Sequence, residues 1–167
     1  MTEIETIIDR VKRAIKDSGI SAAVTDHPGD LQNRFDGPVI FVGFSSGSGV
    51  SAGFLGYIGT EYDENADEYY EIYGKKLDIT LSLDIRSPLT KKGGAECTAV
   101  FSDIVCAVDD LGNGIKVREI SCGDVFYDKV PNMYCCRAEL KCTAFLYARK
   151  TDDSSEFTDF KLKGELV

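Results

Sequence analysis

From Leu77 to Ile85 every second residue is apolar: Leu77, Ile79, Leu81, Leu83 and Ile85 alternate with Asp78, Thr80, Ser82 and Asp84, and Arg86 follows. That period of two predicts a half-buried antiparallel strand. The period then changes. Cys97, Val100, Phe101, Ile104, Val105, Val108 and Leu111 recur at helical spacing, so a helix over residues 95–111 is expected, stopped by Gly112-Asn113-Gly114. Two more strands are expected after it. A short one covers residues 115–121. A long one over 134–149 places Tyr134, Cys136, Ala138, Leu140, Cys142, Ala144, Leu146 and Ala148 on one face. Fully extended, that segment would reach on the order of 50 Å, so it must bend or project beyond the body.

Elements flank this block of residues 76–149 on both sides. Ile4, Ile7, Ile8, Val11, Ala14 and Ile15 form one stripe of an N-terminal helix within residues 1–18. Thr2 and Glu5 have capping-box spacing, and Gly19 closes the far end. Val39-Ile40-Phe41-Val42, apolar on both faces, predicts a strand inside a sheet. Residues 45–75 form a glycine-rich and then acidic excursion, and residues 156–166 alternate as a last strand. The whole chain, residues 1–167, is expected to be one α+β domain: a mostly antiparallel sheet packed by an N-terminal helix and a central helix.

The excursion holds the segments in which chemistry must be considered. Ser45-Ser46-Gly47-Ser48-Gly49-Val50-Ser51-Ala52-Gly53 follows a strand, as a phosphate-cradling loop would. Its glycine spacing is not the dinucleotide fingerprint, it lacks Gly-Lys-Ser/Thr, and a strand-like segment rather than a helix follows. A mobile loop or hairpin tip is the expectation. Asp63-x-Asn65-x-Asp67 begins like a calcium loop, but Glu68 and Gly74 stand where glycine and glutamate are required. Tyr57, Tyr62, Tyr69, Tyr70 and Tyr73, interleaved with carboxylates, offer contact area together with hydrogen-bonding tips. They are the candidate subunit-interface residues.

Composition narrows the options. A net charge of -9 argues against a protein that grips phosphate backbones. The acidic start of the chain lacks the order of a signal peptide, no apolar run is long enough to span a bilayer, and a cytoplasmic site of synthesis is expected. None of the six cysteines forms a C-x-x-C pair, so all are expected to be reduced thiols buried as small hydrophobes. His27, the only histidine, sits in a turn-like Asp26-His27-Pro28-Gly29-Asp30 with no nucleophile pattern around it. No catalytic residue, metal site or cofactor is expected.

The element order, with residues 77–88, Gly93-Gly94-Ala95-Glu96-Cys97 and Ile120-Ser121-Cys122-Gly123-Asp124-Val125-Phe126-Tyr127-Asp128, resembles tail terminator proteins of long-tailed phages and phage-tail-like particles. The resemblance covers residues 76–149. It implies a structural virion protein with an α/β fold, without enzymatic activity, forming a homohexameric ring that caps the tail tube, stops its growth and joins tail to head. The implied partners are further copies of the chain and the tail tube protein, with sheath and head-connector proteins as further candidates. DNA would pass through without specific binding. No membrane is involved, and the implied location is the virion tail, assembled in the host cytoplasm. Open sheet edges and a long strand suit a head-to-tail ring, and the 45–73 segment is expected to touch neighbouring subunits or the tube. Another neck or connector subunit, or a small ligand-binding domain built on the 45–53 loop, are the alternatives.

Overall fold

The computed structural model describes residues 3–25, 35–90, 92–109, 111–112, 114–150 and 161–162. The fold is α+β, a mixed sheet with two helices against one face. Helix α1 (Glu3–Asp17) buries Ile7, Val11 and Ile15, a stripe of period four. Glu3 and Glu5 in its first turn and Lys16 in its last suit the helix dipole. At its end the Ser18 hydroxyl donates to the Ile15 carbonyl at 2.7 Å, and Gly19 takes the left-handed conformation with φ 77°. Thr2 of the expected capping box lies outside the described residues.

The sheet runs β1 (Ala23–Thr25), β2 (Val39–Asp63), β3 (Glu68–Pro88), β6 (Met133–Lys150) and β4 (Ile115–Cys122). On the outer side of β6, β5 (Phe126–Asp128) and β7 (Lys161–Leu162) also pair. β1 joins β2 in parallel; every other pairing is antiparallel. Of the expected strand over 156–166, only β7 lies within the described residues. His27 lies outside them.

The central strand expected over residues 77–85 is the middle of β3. Its Ile79, Leu81, Leu83 and Ile85 face Cys142, Leu140, Ala138 and Cys136 of β6 in register. Helix α2 (Gly94–Ala107) lays Cys97, Val100 and Ile104 across that face, and α1 adds its own stripe to the same core. Cross-strand neighbours and both helices thus exclude water from one side of the sheet. The other side carries Asp78, Thr80, Ser82, Asp84 and Arg86 and, among the described residues, a small apolar cluster of Val39, Phe41 and Met133 with Phe35.

Several expectations need correction. The 45–53 segment is extended within β2 rather than a loop, its Gly47 and Gly49 pairing with Ile79 and Leu77. Its ladder to β3 holds it extended, and side chains lie close beside its glycines: a β-carbon on Gly47 would lie 3.2 Å from the Phe44 ring of the same strand, and one on Gly49 3.6 Å from Leu77. Helix α2 ends at Ala107, short of Leu111 and the glycines, with the Val108 amide closing onto Ile104 at 3.0 Å. Val105 lies off the buried stripe and is exposed. Between the two strands expected over 115–121 and 134–149, residues 126–128 form a further strand, β5, paired with β6. Cys97, Cys135, Cys136 and Cys142 are buried, but Cys106 and Cys122 are exposed, on the outer side of α2 and at the end of β4.

A projecting hairpin as candidate assembly surface

β2 and β3 form a hairpin that stays paired from Val39↔Arg86 to Asp63↔Glu68. β6 backs β3 as far as Lys150↔Glu71. The last fully buried core side chain on β3 is Ile79, Leu77 packs against the same core, and on β6 the core reaches Leu146 opposite Lys75; the hairpin beyond that level extends past the core. Its tip is fastened locally. Asp63 Oδ1 accepts the amides of Asn65 (3.0 Å) and Ala66 (3.4 Å), and the Asp67 amide donates to the Asp63 carbonyl at 2.9 Å. The residues that imitate a calcium loop are therefore a turn cap.

The five candidate tyrosines all lie on this arm. Tyr57 opposes Tyr73 edge-on at 5.7 Å between ring centroids, and Tyr62 opposes Tyr69 at 4.9 Å. These four share one face; Tyr70 is on the other. There the Arg149 guanidinium lies 5.8 Å from the Tyr70 ring and reaches Glu61 (3.2 Å) and Asp63 (3.4 Å). Four of the five phenols have a local partner. Tyr57 meets Thr60 at 2.8 Å, Tyr62 donates to Asp67, Tyr70 to Glu68 at 3.3 Å, and Tyr73 to Glu71 at 3.0 Å. The bond to Asp67 holds the Tyr62 hydroxyl above its ordinary pKa, as the bond to Glu71 does for Tyr73. For Tyr70, desolvation comes first and the Glu68 charge second. Phenols held neutral and bonded in this way serve as rigid contact surface. Tyr69 is the most exposed of the five at 76 %, whereas Tyr70 and Tyr73 are half-buried.

Two further features mark the arm. From Val39 to Thr60 there is no charged residue, although β2 beyond Phe41 is an open sheet edge among the described residues. Exposed edges ordinarily carry charges or proline that discourage pairing. In addition, the β2 register skips between Ala52↔Gly74 and Tyr57↔Tyr73, throwing out Gly53-Phe54-Leu55-Gly56. Phe54 is 84 % and Leu55 83 % exposed. The loop has a defined shape: Gly53 and Gly56 take positive φ, and a β-carbon on Gly53 would strike the Tyr57 carbonyl. The pair of apolar residues between two glycines was the sequence signal for it.

On the bare face an open groove of about 490 Å³ is lined in part by Ser46, Ser48, Asp78, Thr80, Arg118 and Lys141. Its charged groups bond to one another or to neighbours. The Thr143 hydroxyl donates to Asp78 (2.6 Å), Lys76 donates to Asp78 (2.9 Å), Arg118 Nε donates to Thr143 (3.2 Å), and Lys141 pairs with Glu119 (3.1 Å). The Thr143 bond and then Lys76 hold the Asp78 carboxyl below its ordinary pKa. Among the described residues no three His, Cys, Asp or Glu side chains are grouped to hold a metal ion, and no helix is long and apolar enough to cross a membrane.

No family model matches this sequence, and no curated protein matches it. Among solved structures, the type 4 fimbrial biogenesis protein PilO from Pseudomonas aeruginosa is similar over 89 % of this chain and 72 % of its own. The identity is 7 % and the TM-score 0.32, values at which the likeness carries no argument about fold or role.

Proposed function

We propose that this chain is a structural subunit of the tail terminator kind, which assembles into a ring of about six copies at the end of a tail tube. The observation that carries the reading is the β2–β3 arm. A long hairpin that projects past its own core, with an uncharged open edge and exposed apolar side chains, costs solvation as long as the chain is alone. Covering it with another polypeptide recovers that cost. The net charge of -9 fits a channel wall that repels phosphate, so DNA slides through rather than sticking. The groove on the bare face favours this reading over a ligand site, because Asp78 and Lys141 are already ion-paired and Arg118 is already bonded to Thr143 within the protein.

The test is solution mass together with negative-stain imaging, alone and with tube-protein polymer. A ring of about six subunits, formed freely or templated on tube ends, is the expected result. A monomer that neither assembles nor binds and caps tube ends overturns the reading. Binding to a head-portal complex in place of tube polymer would move the chain to another position in the neck.

A further inference from the structure

The exposed large apolar residues are unevenly distributed. One set belongs to the hairpin, with Phe54 and Leu55 at its most exposed point. A second set is Leu89, Val125, Phe126, Tyr127 and Val130, the last 94 % exposed. Among the described residues, Val105 alone falls outside both. The second set surrounds β5, with Val125 and Tyr127 on the helix face and Phe126 on the other face beside Arg137; among the described residues β5 pairs with β6 alone and so borders the sheet edge opposite β2. It also sits at the other end of the strands. β5 pairs where β3 finishes, at Pro88↔Met133, whereas the Phe54–Leu55 loop interrupts β2 opposite Gly74. At about 3.3 Å per residue the two levels are about 45 Å apart along β3. The chain therefore carries two different apolar patches at diagonal corners of one sheet.

We infer that the Phe54–Leu55 loop of one copy docks on the Leu89/Val125–Val130 patch of the next copy. Two unlike surfaces at opposite corners can be satisfied together only by head-to-tail contact, which propagates around a ring or along a filament. The two corners also differ in shape and charge. The loop protrudes, is uncharged, and continues into a tip bearing Glu61, Glu64 and Glu68. The receiving patch is rimmed by exposed Lys92 and Lys129, with Asp124 the exposed carboxylate beside them. Its base is preformed: Tyr127 packs on Tyr134 at 5.5 Å, and a β-carbon on Gly94 would lie 3.0 Å from Val125. The other edge strand, β4, has a register shift between Val117 and Glu119 and exposed Lys116 and Glu119, features that discourage strand pairing there.

The inference rests on the ring reading for its biological purpose, but the contact is testable separately. Phe54→Asp/Leu55→Asp and Val130→Asp alter side chains that are almost wholly exposed, and unchanged circular dichroism confirms folding. Each variant alone should be monomeric at about 1 mM, and a mixture should form a one-to-one heterodimer, because each retains one intact half of the contact. A photo-crosslinking benzoylphenylalanine at position 55 should join residue 89 or 125–130 of a second copy. Crosslinks to any other segment, no crosslink at about 1 mM, or assembly by Val130→Asp alone overturns the inference. Rings that persist in Phe54→Asp/Leu55→Asp would overturn it and leave the ring reading standing. Filaments crosslinked from 55 to 125–130 would support it and remove the ring. Binding of the wild-type chain, but not that double variant, to phosphatidylglycerol vesicles would assign the loop to a membrane surface and also overturn it.

Discussion

At the scale of single residues, the six cysteines occupy two settings. Cys97, Cys136 and Cys142 lie in the core, and burial pushes their thiols up to about 11, about 12 and about 11. For Cys136 the nearby Cys122 adds to the effect of burial. Burial likewise raises Cys135. At pH 8 a thiol near 11 is ionised in about one molecule in a thousand, and the thiolate is the reactive form. An aromatic disulfide reagent should therefore modify Cys106 and Cys122 rapidly in the native protein and the other four only on unfolding. Rapid modification of four or more in the folded state would contradict the packing. The linkage has a definite sign. The folded state holds these protons more tightly than the unfolded chain, whose thiols titrate near 9.0. The stability this represents is complete below that pH and is lost as pH rises towards 11 to 12. Unfolding midpoints should fall across that alkaline window, and replacing Cys142 with Ser or Ala should remove part of the slope.

At the scale of elements, the hairpin divides into a part the core needs and a part it does not. Ile79, Leu81, Leu83 and Ile85 lie below the Ala52↔Gly74 pair, and both helices pack there. Replacing residues 53–73 with Asn-Gly, a turn suited to a two-residue hairpin, should leave a folded monomer. Its melting temperature should fall by only about 5 °C, since the exposed arm contributes little apolar burial. An intact oligomer from this variant would show that the arm is not the contact surface, and a collapse of the fold would show that the division is wrong. The division also explains what was legible in the sequence. Where one face meets a core, period-two and helical spacing reported the elements: α1, the middle of β3 and β6 stand close to where their alternation placed them. Where strand pairing alone holds the backbone, side-chain pattern says little. Residues 45–53, all glycine, serine and small residues except Val50, look like a loop yet are extended by their ladder to β3. β1 is three residues on a parallel edge, too short for any period to emerge. Val105 misled in the opposite way, because an apolar residue at helical spacing joins the stripe only if the sheet lies on its side. The candidate tyrosines lie on the arm, but the exposure of Phe54 and Leu55 follows from the register shift, which the glycines flanking them in sequence only hint at.

At the scale of the whole molecule, two electrostatic effects oppose each other when copies meet. Each copy carries -9, so bringing several together is resisted by a field that extends about 10 Å at 0.1 M salt and about 30 Å at 0.01 M. Against it stand the local attractions between the acidic hairpin tip and Lys92 and Lys129 of the proposed receiving patch. Exposed pairs of that kind contribute about 0 to 1 kcal/mol each and are screened as well. They orient the encounter more than they hold it. The proposed contact itself, by contrast, is made by the uncharged Phe54–Leu55 loop, whose burial salt does not weaken. The repulsion is the larger of the two screened terms, so its removal decides the sign. Association should tighten as salt rises from about 0.02 M to about 0.5 M, read as a shift of the sedimentation profile towards the oligomer. A complex that instead loosens tenfold or more over that range would be held by ion pairs. The apolar corners of the sheet would then have to find another occupant.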